Sequence, residues 1–420
     1  MFSKSVILKK YKDNENNNNI NLNYCIKTDN NINNNIINKN IINIELSDKI
    51  NQYKNDLFNN KVWNEFRKIS NNYELVNIIL NNRNLGLSLL RPLSRSYYKI
   101  IEIIKDYKLL DNLNKNFSNI NKIVLIAEAP GGFLEALNDK IGDNTNYYAI
   151  SLIKENNNNI PNWEYAKKKY SNNNNIHFLL GKDKTGDLYK LINIFNYIDK
   201  IGSNSVELIT SDGGLDFSED YLNQEQLFYR LFLCEVTLAL SIQKKNGIFI
   251  CKIFDFNTTI TIKIIYLLYL FYDEVIITKP NISRKANSEK YLICKNFKKE
   301  LPNDILKNFY KIILSWNNNI IDIFNFDIPE YFLKNIENYN TIFLEKQIKH
   351  FEYIKDLYLT LTKKKLFKII NDQILYSYNW CLNYDISIDT HNIYLNYDIN
   401  YIVKHYYAYL LLFKYEKLKN

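Results

Sequence analysis

The stretch IVLIAEAPGGFLEAL, Ile123 to Leu137, reads as an apolar strand that ends at Glu128, breaks through Ala129, Pro130, Gly131 and Gly132, and resumes as a helix. The chain has ten glycines in 420 residues, so two side by side mark a backbone that something approaches closely. Such a strand-to-helix turn presents bare backbone at a helix N-terminus, where ligands of open α/β sheets bind. APGG also suits an ordinary tight turn. The dinucleotide fingerprint G-x-G-x-x-G is absent, which disfavours an NAD-dependent oxidoreductase.

Outward from this stretch, short β-rich runs alternate with amphipathic ones as far as Phe297. Seven runs read as strands: IVLIAEA, YYAISLI, IHFLLG, VELITSDGG, GIFICKIFD, EVIITKP and EKYLICKNF. Between them GGFLEALNDKIG, DLYKLINIFNYIDKIG, YLNQEQLFYRLFLCEVTLALSIQKK and TTITIKIIYLLYLF read as helices. This alternation predicts an α/β domain over residues 111–298, an open, mostly parallel, seven-stranded sheet with helices on both faces. Its ligand cleft is expected at the carboxyl ends of the strands.

The flanks differ. Residues 1–45 are rich in asparagine and lack a period, which predicts an irregular arm. Residues 46–110 turn helical, with KIIEIIKDYKLL apolar at three- and four-residue spacing, and residues 299–420 read as a helical extension. The basic and aromatic run LTKKKLFKII, Leu361 to Ile370, suits a helix with its own core and a solvated lysine face better than a nucleic-acid platform.

Lys and Arg exceed Asp and Glu by 54 − 45 = 9, a balance that favours a polyanionic partner without requiring one. Five scattered cysteines without CxxC spacing argue against a disulfide scaffold or a zinc site and fit a reducing compartment. The four histidines show neither HExxH nor paired spacing, so no metal is expected. The most apolar run, from Thr258, is interrupted by Lys263 and Asp273, so no membrane span is expected.

Three further motifs carry charges where a sheet opens onto its cleft. In LITSDGGLDF, Asp212 ends a strand and enters a Gly-Gly turn; in GIFICKIFD, Lys252 interrupts a strand apolar on both faces; in SRKANSEKYLICK, Glu289 precedes the last strand. An unpaired ammonium inside a strand costs several kcal/mol, so Lys252 is paired, deprotonated, or at an opening. Asp212 alone would pass for a turn residue, and Glu289 for a solvated charge at a hairpin.

The order APGGF, SDGG, ICKxFD and SRxANSExYLICK resembles the FtsJ-type S-adenosylmethionine-dependent RNA 2'-O-methyltransferases over about Leu90 to Phe297. The resemblance is closest to the branch that acts on the first transcribed nucleotide of capped mRNA, which includes enzymes of large cytoplasmic DNA viruses. It implies a Rossmann-like methyltransferase fold, S-adenosyl-L-methionine as cofactor, capped mRNA as substrate and other capping or transcription proteins as partners. A cytoplasmic location, in a viral factory or virion, goes with it. The family's Lys-Asp-Lys-Glu tetrad maps onto Lys99, Asp212, Lys252 and Glu289, with Lys105 close enough to compete for the first place. Ala129, Pro130, Gly131, Gly132 and Phe133 match the motif around the cofactor's methionine part. Glu128 stands at a position that varies in the family. GKDKTGDLYKL matches the segment whose acid reaches the adenine, implying Asp187 with Asp183 as the alternative; Ser151 is a further candidate, and Asp212 counts on both sides of the site.

By the resemblance, Lys252 activates the ribose hydroxyl, Asp212 and Glu289 orient it, and Lys99 tunes the field. An isolated lysine, with a reference pKa of about 10.4, cannot act as a base near neutrality. A second ammonium lowers that value and carboxylates raise it. Two other readings stay open: a ribosomal-RNA 2'-O-methyltransferase, and a catalytically silent RNA-binding or virion subunit.

Overall fold

The computed structural model describes residues 5–8, 24–28, 40–58, 63–80, 83–153, 161–215, 217, 220, 222–298, 300–301, 303–317, 320–396 and 398–416. The chain begins with β1 (Ser5–Leu8), β2 (Tyr24–Thr28), α1 (Ile44–Phe58), α2 (Trp63–Ile69), β3 (Ile79–Leu80), β4 (Arg83–Asn84), α3 (Ser96–Asp106) and α4 (Leu109–Asn116). The alternating region follows: β5 (Lys122–Ile126), α5 (Gly132–Ile141), β6 (Asn146–Ile150), α6 (Glu164–Lys169), β7 (Ile176–Leu179), α7 (Leu191–Ile201) and β8 (Val206–Ser211). It continues with α8 (Gln224–Ile242), β9 (Gln243–Ile253), α9 (Thr259–Phe271), β10 (Tyr272–Thr278) and β11 (Lys290–Phe297). Last come α10 (Asn303–Leu314), β12 (Ile320–Phe324), α11 (Glu330–Thr360), α12 (Lys363–Asn383), α13 (Ile393–Asn396) and α14 (Ile399–Glu416).

These elements form two compact units, each discontinuous in sequence. The first draws on residues 1–44, 106–279 and 289–340, the second on residues 45–105, 280–288 and 341–420.

The first unit is built on an eight-stranded sheet in the order β1, β10, β11, β9, β8, β5, β6, β7. The expected number was seven. The eighth strand is β1, from the arm read as irregular: Val6 and Leu8 are buried while Ile7 faces out, and Ser5 to Leu8 pair antiparallel with Thr278 to Val275. Four residues are too short to show a period amid asparagine, and their partner lies some 270 positions on in the chain. β2 is the second strand of that arm, paired with β12, an element the helical reading of the C-terminal region lacks. Residues 1–4, 9–23 and 29–39 of the arm fall outside the described residues.

β5, β6, β7, β8 and β9 run parallel, while β11 is antiparallel to both β9 and β10. Strand order reverses between β5 and β8, the switch point at which open α/β sheets take ligands. α8 ends at Ile242, and the three residues after it, Gln243 to Lys245, already belong to β9. α8 and α9 are buried nearly all round, as their continuous apolar sequence demands. α10 packs on α8, and β12 packs on α9.

The second unit has its own core around Trp63, Phe66, Phe351, Leu366 and Val403. The LTKKKLFKII run opens α12: Leu366 and Ile370 are buried, Lys363 and Lys364 exposed, and the Thr362 hydroxyl accepts the Lys365 N–H at 3.1 Å as a helix cap. Buried Glu74 binds Arg284 at 2.6 Å and Arg95 at 3.0 Å; burial works against its charge, but the two guanidiniums hold its carboxyl at about 2. Among the described residues, no helix is long and apolar enough to cross a membrane.

Candidate active site at the carboxyl edge of the sheet

Strand register gathers the candidate residues. Leu179, Ile150, Ile126, Ser211, Cys251 and Leu292 lie side by side in one row across β7, β6, β5, β8, β9 and β11. One step further along the parallel strands stand Ser151, Ala127, Asp212 and Lys252. Four motifs scattered over a hundred residues thus emerge at one edge.

After β5 the backbone turns sharply. Ala127 adopts φ 53°, a left-handed conformation costing a non-glycine residue on the order of 1 kcal/mol, and Gly131 adopts φ 114° ahead of α5. The Ala129–Pro130 bond is cis. Glu128 folds back so that its carboxyl accepts the N–H groups of Phe133 at 2.6 Å and Leu134 at 3.3 Å, satisfying two donors that open every helix. Burial pushes its pKa well above the carboxylate range, although those two N–H groups pull it back. Glu128 therefore shapes the turn from beneath. Phe133 is also fully buried, its ring 6.1 Å from that of Tyr291, so it forms the floor between this turn and the next motif.

A second loop flanks the edge. The Ile153 N–H donates to the Thr185 carbonyl at 2.8 Å, and a Cβ on Gly186 would meet the Ser151 carbonyl at 1.9 Å, so only glycine lets the loop lie on the end of β6. The two acids here differ in use. Asp183 engages Lys190, Thr185 and Asn193, which hold its carboxyl below the usual range. Among the described residues the Asp187 carboxyl accepts one bond, from the Tyr189 N–H to Oδ1 at 2.9 Å.

The charged centre lies between β8, β9 and β11. The Lys252 ammonium donates to the Asp212 backbone carbonyl at 2.7 Å and pairs with Asp212 Oδ1 at 3.3 Å. The same Oδ1 accepts the Tyr291 hydroxyl at 2.8 Å, and Tyr291 is the direct cross-strand partner of Lys252. Half-buried Glu289 immediately precedes β11, two residues before Tyr291, and its backbone carbonyl accepts Lys279 Nζ at 2.8 Å. Burial works against the charge on Lys252, but Asp212, Glu289 and Glu235 outweigh it and raise its pKa above the ordinary lysine value. Gly214 leaves room for this side chain, since a Cβ there would sit 3.2 Å from Lys252 Nζ.

Lys99 lies on α3 in the second unit, half-buried on a helix whose Tyr97, Tyr98, Ile100 and Ile101 are buried. Its competitor Lys105 pairs with Asp385 at 2.6 Å on the surface of that unit. Two residues of the centre escaped the sequence reading. Tyr291 stood inside the quoted motif without being singled out; strand register alone could have placed it against Lys252. Glu235, inside the apolar run of α8, carried no local signal beyond being an acid among hydrophobics.

Residues 92–297 match the family model described as FtsJ-like methyltransferase. The chain is 33% identical over 212 residues to a cap-specific mRNA (nucleoside-2'-O-)-methyltransferase 1 from Dictyostelium discoideum, covering 47% of this chain and 28% of that protein. The protein of the same name from Caenorhabditis elegans is 31% identical over 41% of this chain and 19% of its own length; that from Mus musculus is 29% identical over 43% and 23%. The match thus spans less than a third of each of these relatives. A crystal structure of human methyltransferase-like protein 13 in complex with SAH shares 13% identity at a TM-score of 0.32, over 58% of this chain and 100% of the other. The parallel sheet, the APGG turn and the Asp212–Lys252 pair all lie inside the matched segment, so the likeness to the FtsJ-like methyltransferases extends over residues 92–297.

Proposed function

We propose that this chain transfers a methyl group from S-adenosylmethionine to the ribose 2'-hydroxyl of the first transcribed nucleotide of capped mRNA. The observation that carries this reading is the buried Lys252–Asp212 pair, at the sheet edge beside the glycine turn, in a domain whose relatives are named as cap-specific 2'-O-methyltransferases. The residues present fit the methyl donor. Asp187 offers a carboxyl to a nucleoside hydroxyl or amine, Gly186 brings backbone close beside it, and the Ala129–Gly132 turn leaves little side chain between the sheet and a ligand. When bound, the donor supplies an electrophilic methyl group.

The chain's own residues then have to position the hydroxyl and take its proton. Asp212, braced by Tyr291, holds the Lys252 amine at a fixed point on the edge. Lys252 is held charged in this centre, so it sheds a proton before it can accept one from the 2'-hydroxyl; turnover should therefore climb with pH on the alkaline side of neutrality. Glu289 adds negative potential next to that amine. Alignment of the hydroxyl with the methyl group is expected to supply much of the remaining acceleration.

The test is incubation of the purified chain with labelled S-adenosylmethionine and cap-0, uncapped and already 2'-O-methylated RNAs, followed by location of the label. Label on the 2'-oxygen of the first nucleotide of cap-0 RNA alone is the expected result. Equal labelling of uncapped or ribosomal RNA would shift the reading to a ribosomal-type enzyme, and donor binding without transfer to any RNA would indicate a silent RNA-binding subunit.

A further inference from the structure

We propose that Glu235 is a positioning residue for Lys252: it holds a proton beneath the Ser211–Gly214 turn in the working enzyme and, on losing it, adds a third carboxylate that keeps the Lys252 amine charged. This deepens the methyl-transfer reading above and rests on it.

The geometry comes first. Glu235 is fully buried on α8, and among the described residues its Oε1 has no hydrogen-bond partner. That oxygen lies directly under the turn, since a Cβ on Gly213 would fall 2.0 Å from it. Its other oxygen accepts the weak Sγ–H of Cys251 at 3.8 Å, the residue before Lys252. An ionised carboxyl with one oxygen unpartnered is an uncompensated buried charge, whereas a protonated one leaves only a neutral group short of a bond, which costs far less. Burial accordingly pushes the Glu235 carboxyl up to about 8, with the Ser211 hydroxyl and the Lys252 ammonium pulling it down and Asp212 pushing it further.

The groups around it are few. Ser211 and Asp212 come from β8 and its turn, Cys251 and Lys252 from β9, Cys234 from α8 itself, and Tyr189, which carries Arg230 over its ring at 4.4 Å, from the loop before α7. Lys252 is the cation that responds to Glu235 in turn. Asp212 and Glu289 orient the amine from the open side; Glu235 acts from the closed side, where no substrate reaches.

The test uses the full chain with Glu235→Gln, which keeps the shape and removes the proton equilibrium, or Glu235→Met if the amide fails to fold. Infrared difference spectra of wild type minus variant should show the carbonyl stretch of a protonated carboxyl at pH 7 that fades above pH 8. In Lys252→Met the fading should move to higher pH, because the cation that favours ionisation is gone; this arm needs no methyl transfer. With cap-0 RNA, the alkaline limb of the single-turnover pH profile should move down by about one unit in E235Q. Absence of the carboxyl band, or a band indifferent to Lys252→Met, overturns the proposal. An unmoved limb in an active E235Q enzyme overturns it as well. A correct infrared titration with no RNA methylated by any form would instead sink the methyl-transfer reading while leaving the Glu235–Lys252 coupling established.

Discussion

Two lysines of the sheet domain are buried with nearly the same immediate partners. Lys252 on β9 has Asp212 at 3.3 Å, a backbone carbonyl at 2.7 Å and the Phe254 ring at 5.8 Å. Lys263 on α9 has Asp322 at 2.9 Å, the Phe324 carbonyl at 2.7 Å and the Phe326 ring at 5.0 Å. An ion pair therefore says little by itself about function. What separates the two is position. Lys263 ties α9 to β12, with Lys27 on β2 sharing the same acid, and is sealed by that ribbon. Lys252 stands at the carboxyl edge, where its acid belongs to a Gly-Gly turn and where Tyr291, Glu289 and Glu235 add further interactions.

That contrast can be broken by mutation, beginning with the largest effect. Asp212→Asn should reduce methyl transfer by about 10^3-fold, since the amine loses its orienting partner, while the alkaline limb moves to lower pH because the carboxylate that raised Lys252 is gone. Single-turnover rates across pH measure both.

The next effect concerns stability. Glu235 has a folded-state pKa of about 8 against 4.5, so the native state binds the extra proton, and its contribution to stability falls as pH rises from 4.5 to about 8. E235Q should abolish that decline, gaining about 3–5 kcal/mol relative to wild type between pH 5 and pH 9 in urea titrations. Parallel slopes in the two proteins would mean that Glu235 ionises normally.

Lys263→Ala should destabilise the fold by about 3 kcal/mol, because Asp322 is left charged and largely buried. Methyl transfer by the protein that remains folded should be untouched. The smallest change is expected for Lys263→Met with Asp322→Leu, which replaces the pair by apolar groups of similar volume and should return stability to within about 1 kcal/mol of wild type. The equivalent exchange at Lys252 and Asp212 should leave a folded but inactive protein. If K263A lost activity at full folding, the contrast between the two lysines would fail.

Much of this was legible in the sequence. The seven strands from Ile123 to Phe297 were readable because buried parallel strands leave long apolar runs between amphipathic helices. Lys252 stood out because a charge inside an apolar run needs a reason, whereas Asp212 and Glu289 were picked out by the motifs that carry the family resemblance. What could not be read was pairing. β1 is four residues that pair with the distant β10, and Tyr291 acquires its role from lying opposite Lys252 in an antiparallel register. Glu235 illustrates the limit best: sixteen residues before its sulfur donor in the chain, it is meaningful only once α8 lies beneath the Gly213 turn. Lys263 was read merely as a charge that breaks an apolar run, and its partner, Asp322, lies in a strand the helical reading of that region did not contain.

The most direct measurement is single-turnover methyl transfer to cap-0 RNA by wild type and Lys252→Arg, with donor affinity determined calorimetrically on the same preparations. Guanidinium preserves the positive charge but cannot give up a proton. A loss of about 10^3-fold in transfer, with S-adenosylmethionine affinity within about threefold of wild type, is the predicted result. Transfer by K252R at a near wild-type rate would contradict the assignment of Lys252 as the group that accepts the hydroxyl proton.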